Sequence, residues 1–351
     1  MRRPPAPTRE AATIEIVAEQ AGVSAKTVSR VINNERGVRT ETRERVLAAI
    51  EKLDYQPNLA ARGLAGARSF LIGLFYDNPG DYLSEFQTGA VQRCRESNLH
   101  LMVEPLVAAD PDLARAVSTL IRQLRLEGVI LLPPLSDLPE VRATLAEAGI
   151  PAVHIAPMHR QDDAPSVDTD DRAAARQLTD VLIERGHRRI GFMLGRAAHR
   201  ATEQRYLGFA DAMHAHGLAI EPTLVQTGNF EFAEGLECAR RILSSPERPT
   251  AIFASNDDMG AAAVCVARQM DITLPQQLSI VGFDDAPVAT MIWPQLSTVR
   301  QPVRSMGRVA ADLIIQHKPH RRGWPQPMPR PHLDLEVILR GSIAAAPVVA
   351  T

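Results

Sequence analysis

From Thr13 to Tyr55 the apolar residues recur at helical spacing. Ile14, Val17, Ala18 and Ala21 share one face, Thr13 is placed to cap the start and Gly22 to end the turn. A second short helix follows, capped by Ser24, with Val28, Val31 and Ile32 as its buried stripe. Lys26, Thr27, Ser29, Arg30 and Asn33 take its other faces. A third runs from a cap at Thr40 through Val46, Leu47, Ile50 and Leu53 to Tyr55, and Pro57 forbids its simple continuation. The pattern predicts a three-helix head preceded by a loose Arg/Pro/Ala-rich tail over 1–12.

Beyond residue 68 the rhythm changes to unbroken apolar runs separated by helical stretches: FLIGLFY, HLMVEP, GVILLPP and PAVHIAP, then RIGFMLG, LVQTGN, AIFASND and LSIVGFDD. Runs without polar alternation are strands buried on both faces, as in parallel sheets, so two doubly wound α/β units follow. Ligands of such sheets bind outside the carboxyl ends of the strands, where Asp77, Phe230, Asn256, Asp257, Asp284 and Asp285 collect. The proline-rich stretch 317–332 reads as a connection before a last strand at 333–340, and no heptad pattern closes the chain.

A length of 351 residues fits two or three domains. No apolar run approaches a membrane span and the opening residues lack a signal-peptide core, so a cytoplasmic location is expected. Cys94, Cys238 and Cys265 form no C-x-x-C pair and read as buried hydrophobes, with neither metal nor cofactor expected. The net charge of −2 hides an asymmetry: residues 1–68 hold 12 Lys and Arg against 8 Asp and Glu, while the remainder carries a net −6. A basic head on an acidic body makes nucleic acid a partner for the head alone.

TIEIVAEQAGVSAKTVSRVINNERGV has the form of a helix-turn-helix whose second helix presents Ser24, Ala25, Lys26 and Thr27 outward. Lys26 and Arg30 can donate to guanine O6 and N7, and Thr27 and Ser29 to phosphate or base edges. The stretch AGVSAKTVSRVIN with YQPNLAARGLAG resembles the DNA-binding head of the LacI/GalR family of transcriptional regulators. The resemblance runs to about Gly341 through LIERGHRRIGFMLG, RYLGFADAM, RPTAIFASNDDMGAAA, LPQQLSIVGFDD and LSTVRQP. It implies a three-helix head joined by a hinge helix to two doubly wound parallel α/β subdomains, like type I periplasmic binding proteins. Ala25 and Lys26, with Arg30, then read the operator half-site. The hinge, Asn58 to Gly66 with Ala61, folds on DNA and wedges Leu64 into the minor groove. The expected division is 1–12 tail, 13–57 head, 58–68 hinge and linker, 69–165 with 298–330 as one subdomain, 166–297 with 331–341 as the other, and 342–351 tail.

The resemblance further implies a homodimer on palindromic operator DNA, most simply a repressor, and one small-molecule effector in the cleft. Matched positions give Tyr82, Asp168, His199, Arg205, Phe230, Asn256 and Asp284 as its ligands. Carboxylates, amides and an Arg fork suit vicinal hydroxyls and an aromatic ring suits a pyranose face, so a sugar or glycoside is expected. Arg196, His199, Arg200 and Arg205 leave a phosphorylated ligand open, beside a purine-type corepressor or a protein coregulator. Catalysis finds no nucleophile elbow, Walker loop, G-x-G-x-x-G or H-E-x-x-H, and a transport receptor would not carry the head.

Overall fold

The computed structural model describes residues 12–32, 37–55, 69–159, 162–317 and 324–347. The chain divides into two units, Met1–Ser69 and Phe70–Thr351. In the first unit, α1 (Ile14–Ala21), α2 (Ala25–Ile32) and α3 (Thr40–Lys52) form because each is closed locally. Thr13 Oγ1 accepts from the Ile16 N–H at 3.4 Å and Ser24 Oγ from the Thr27 N–H at 3.2 Å. Gly22 ends α1 at φ 63°, a conformation that strains other residues. The third helix starts one residue earlier than expected: Arg39, not Thr40, is its cap, its carbonyl accepting from the Arg43 N–H at 3.0 Å. Val17, Val28 and Val46, one per helix, are buried at the centre. The expected hinge helix, with Asn58, Ala61 and Leu64, and also Asn33, lie outside the described residues.

The second unit has two lobes. In the first lobe β1 (Leu71–Tyr76), β2 (His100–Pro105), β3 (Gly128–Leu131), β4 (Ala152–Ile155) and β5 (Ser166–Thr169) join β11 (His332–Leu333) in one sheet, order β11-β5-β4-β3-β1-β2, every pair parallel. One face carries α4 (Asp81–Glu96) and α12 (Val303–Gln316), the other α5 (Leu113–Leu124) and α6 (Pro139–Glu147). Strand β1 shows why its run is apolar throughout: Ile72 and Leu74 pack with Phe86 under α4, whereas Leu71 and Phe75 pack with Leu113 and Val117 under α5.

In the second lobe β6 (Ile190–Leu194), β7 (Val225–Thr227), β8 (Ala251–Ala254) and β9 (Ser279–Val281) form a parallel sheet, order β7-β6-β8-β9. It lies between α7 (Asp171–Glu184) with α8 (Arg200–Ala215) and α9 (Phe232–Leu243) with α10 (Asp257–Gln269). A short α11 (Val288–Met291) leads to β10 (Thr298–Arg300), which pairs antiparallel with β12 (Glu336–Ile338).

The lobe boundaries differ from those expected. Ser166–Thr169 belongs to the first sheet, because SVDT is paired on both edges, by β4 and by β11, and is buried there in spite of its polar residues. The expected final strand at 333–340 is two strands, with His332–Leu333 in the first lobe and Glu336–Ile338 in the ribbon. The chain therefore passes between lobes at 169–171, 300–303 and 333–336. Cys94 and Cys238 are buried and Cys265 half-buried. Among the described residues no helix is long and apolar enough to cross a membrane.

Candidate functional site

In the head, Ser24 and Lys26 are exposed and Ala25, Thr27, Ser29 and Arg30 half-buried, while Val28 and Val31 anchor the opposite face of α2 in the core. The Ser24 and Thr27 hydroxyls are 3.0 Å apart and bonded to one another, which ties both to the start of α2. This is a short polar helix end held by its own cap, the form that enters a major groove.

Between the lobes of the second unit lies a cavity of about 220 Å³. Six of the seven expected ligand positions line it: Tyr82, His199, Arg205, Phe230, Asn256 and Asp284. Asp168 does not; it is 1% exposed on β5, accepts from the Ser166 hydroxyl at 2.8 Å, and lies 3.5 Å from Arg200. The carboxylate that reaches the cavity is Asp171, three residues on at the start of α7.

Arg205 organises the site. Its Nε donates to Asp171 Oδ2 at 2.9 Å, its Nη1 donates to the Ser255 carbonyl and stands 3.3 Å from Asp284 Oδ1, and its guanidinium lies 3.7 Å over the Phe283 ring. Burial opposes its charge, but Asp284 and Asp171 outweigh that and hold Arg205 protonated. Thr169 Oγ1 donates to the other Asp171 oxygen at 2.7 Å, so this acid is oriented from β5. Asp284 ends its strand region at φ 111° and accepts from Gln301 Nε2 at 2.6 Å. Burial, with Asp171 and Asp258 nearby, pushes its carboxyl up to about 6 against the pull of Arg205 and Gln301.

Asn256 has two structural jobs: Oδ1 accepts from the Met259 N–H at 3.0 Å as the cap of α10, and Nδ2 donates to the Phe230 carbonyl at 3.0 Å. That second bond fixes Phe230, whose φ of 64° follows Asn229 at 54°. Its ring meets His199 edge-on, centroids 5.4 Å apart. Burial and the charges of Arg205 and Arg196 push His199 down to about 4, so it is a neutral imidazole, and its Nδ1 is buried without a partner. Tyr82, from the first lobe, donates to Met306 Sδ at 3.8 Å, and burial pushes its phenol up.

The sequence reading missed Asp81, Thr169, Asp171, Glu231, Asp258 and Gln301, all of which line the cavity. Gln301 stands inside the LSTVRQP motif and Asp171 directly after VDTD, so their signal was present; Asp81 opens α4 and Glu231 caps α9, boundary positions that periodicity does not place.

The profile of bacterial regulatory proteins of the lacI family matches residues 13–58, and that of the periplasmic binding protein-like domain matches residues 179–343. The HTH-type transcriptional repressor PurR of Haemophilus influenzae (strain PittEE) is 31% identical over 338 residues, covering 95% of this chain and 98% of that protein. This chain belongs to the lacI family of bacterial regulatory proteins. Solved lacI-family relatives agree across nearly the whole length. The transcriptional regulator CelR–cellobiose complex superposes with a TM-score of 0.72 at 30% identity, over 94% of this chain and 99% of that one. The lac repressor dimer bound to operator and the anti-inducer ONPF gives 0.78 at 26%, over 96% and 100%. The PurR of Shigella sonnei (strain Ss046), 31% identical over 96% of this chain and 98% of that protein, is likewise an HTH-type transcriptional repressor.

Proposed function

We propose that this regulator is a homodimeric repressor that reads a palindromic operator through α2 and releases it in response to a neutral polyhydroxy effector, a sugar or glycoside, bound in the interlobe cavity. The observation that carries the reading is Arg205 fixed between Asp171 and Asp284, over Phe283, inside a cavity lined from both lobes. Such an Arg–carboxylate array offers paired donors and acceptors to vicinal hydroxyls, and Phe230 and Tyr82 supply apolar faces. A sugar-bound relative, the CelR–cellobiose complex, supports the same class.

Charge supports a neutral ligand over a phosphorylated one. Arg196, Arg200 and Arg205 are each paired with carboxylates, Asp171, Glu231 and Asp284 among them, and His199 is neutral, while Asp81 and Asp258 add further acids to the cavity lining. An anion entering there meets excess negative charge. The ligand acts by preferring one lobe arrangement, which reaches the head through the expected hinge and linker at 58–68.

The test is fluorescence anisotropy of the full chain on a duplex selected from random sequence, with a sugar panel titrated in. A sugar that releases the duplex from wild type but not from Asp284→Asn is the expected result. Release that is indifferent to Asp284→Asn and to Arg205→Lys defeats the reading.

A further inference from the structure

Two arginines of the second lobe, Arg196 in the β6–α8 connection and Arg200 at the start of α8, both reach groups of the first lobe. Arg196 Nη1 donates to Asp77 Oδ2 at 3.0 Å, and its Nη2 lies 3.5 Å from Glu231 Oε1. The same Glu231 oxygen accepts from Asn78 Nδ2 at 3.2 Å. Asp77 and Asn78 follow β1, so a first-lobe pair faces a second-lobe pair with acid and donor on each side. Asp77 is braced from behind, its other oxygen accepting from the Ala108 N–H at 3.0 Å. Four residues on, Arg200 Nη1 stands 3.5 Å from Asp168 Oδ1 and donates to the Pro157 carbonyl at 3.4 Å, at the ends of β5 and β4.

Arg196–Asp77, Asn78–Glu231 and the two Arg200 contacts join the lobes, while Arg196–Glu231 and Asp77–Ala108 brace them from within one lobe. The Asp168 carboxylate is 1% exposed and the Arg200 side chain 19%. Parting the lobes would take Arg200 away from a buried acid, and losing the partner of a buried charge is strongly unfavourable. The Arg196 contact is wetter, at 35% exposure against 15% for Asp77, and contributes less by itself. Because the two arms lie four residues apart on the same lobe, they are made and broken by the same motion.

We infer that Arg196 and Arg200 form a two-armed latch that holds the cleft closed. They are positioning residues: they set how often the cavity opens, and through that the rate and affinity of ligand entry, while Arg205, Asp171 and Asp284 supply its polar wall. The consequence for effector rests on the reading of the cavity proposed above; the latch itself does not.

The experiment therefore uses no ligand. Nitroxides are placed on Arg115→Cys in α5 and Glu237→Cys in α9, both exposed, in the full chain carrying Cys265→Ser, and the interlobe distance distribution is measured by double electron–electron resonance. Wild type, mixed with excess unlabelled chain so that a dimer carries one labelled copy, should give one narrow distance. Arg196→Gln with Arg200→Gln should raise the ratio of wide to narrow separations by about tenfold or more. Asp77→Asn with Asp168→Asn, which leaves both arginines in place, should do the same. The exchanged pair Arg196→Asp with Asp77→Arg should recover the narrow distance relative to Arg196→Asp alone, which a general loss of stability would not produce. A distribution unchanged in both double variants, or a wild type already as wide as they are, overturns the latch. Failure of the effector reading would show only in the sugar titration and would leave these distances unaffected.

Discussion

Arg205 Nη1 and Asp284 Oδ1 stand 3.3 Å apart, with Asp171 on the other side of the guanidinium, so one cation serves two acids from different elements. Removing the cation and removing one acid are then different experiments. Arg205→Ala leaves Asp171 and Asp284 facing each other without it and should lower the melting temperature, on the order of 3 to 5 kcal/mol of stability. Asp284→Asn keeps an oxygen for Gln301 and should fold, yet weaken effector binding about tenfold or more. Its operator affinity without effector should match wild type. Calorimetry with the releasing sugar and thermal denaturation of both variants check this.

Two titrations in the cavity oppose one another. Asp284, raised from 3.8 to about 6 chiefly by burial, holds its proton more tightly folded than unfolded. Its contribution is fully present below about 3.8 and is lost as pH rises through about 6. His199, lowered from 6.5 to about 4 chiefly by burial, contributes above 6.5 and loses that contribution as pH falls through about 4. Between wild type and His199→Gln the stability gap should narrow as pH falls from 6.5 to 4; between wild type and Asp284→Asn it should widen from 6 to 4. Each change is on the order of 3 kcal/mol. A gap independent of pH in denaturant titrations would contradict the assignment.

Asn256 caps α10 with one atom and holds the Phe230 carbonyl with another. Asn256→Ser retains a capping oxygen and gives up the second bond, whereas Asn256→Ala gives up both. Ser should cost less stability than Ala by about 1 kcal/mol. Both should weaken effector binding, because Phe230 loses its tether in each. Equal melting temperatures for the two variants would show that the cap contributes nothing.

In the head, Lys26→Ala and Arg30→Ala should lose discrimination at particular base pairs, about 1 to 3 kcal/mol each, when half-site variants are compared by anisotropy. Arg43, whose Nη1 donates to the Val31 carbonyl at 3.5 Å, is partly committed to the fold, and Arg43→Ala should weaken all sites alike. Leu64→Ala should abolish operator binding and leave effector affinity unchanged. Uniform weakening by Lys26→Ala across every variant would remove it from base readout.

How far the sequence could be read depends on the kind of signal each residue carries. Val17, Val28 and Val46 are legible because a helix buries one face and the spacing repeats; the runs around Ile72 and Ile252 are legible because strands buried on both faces have no polar positions. SVDT at 166–169 was not, since two of its four residues, Ser166 and Asp168, are buried by pairing with each other as well as with neighbouring strands. In the cavity, Arg205, Asn256 and Asp284 were found from motif position. Asp171 was missed in favour of Asp168 because the choice turns on which residue follows the end of β5, a boundary that periodicity leaves loose by a few residues. The pairing of Arg196 and Arg200 with Asp77 and Asp168 joins residues far apart in the chain, and no local pattern announces it.

Helix α12 lies against α4 so closely that a Cβ on Gly89 would overlap the Arg304 carbonyl, and one on Gly307 the Phe86 carbonyl. Those helices come from opposite ends of the second unit, yet together they cover one face of the first sheet. During synthesis that face stays half covered, by α4 alone, until residues beyond Gly307 have left the ribosome, by which time the second sheet has already been made. The first lobe is begun first and finished last. A chain cut short after β10 would release a second lobe with its sheet complete and a first lobe with apolar β1, β3 and β4 open to water, a species prone to aggregate.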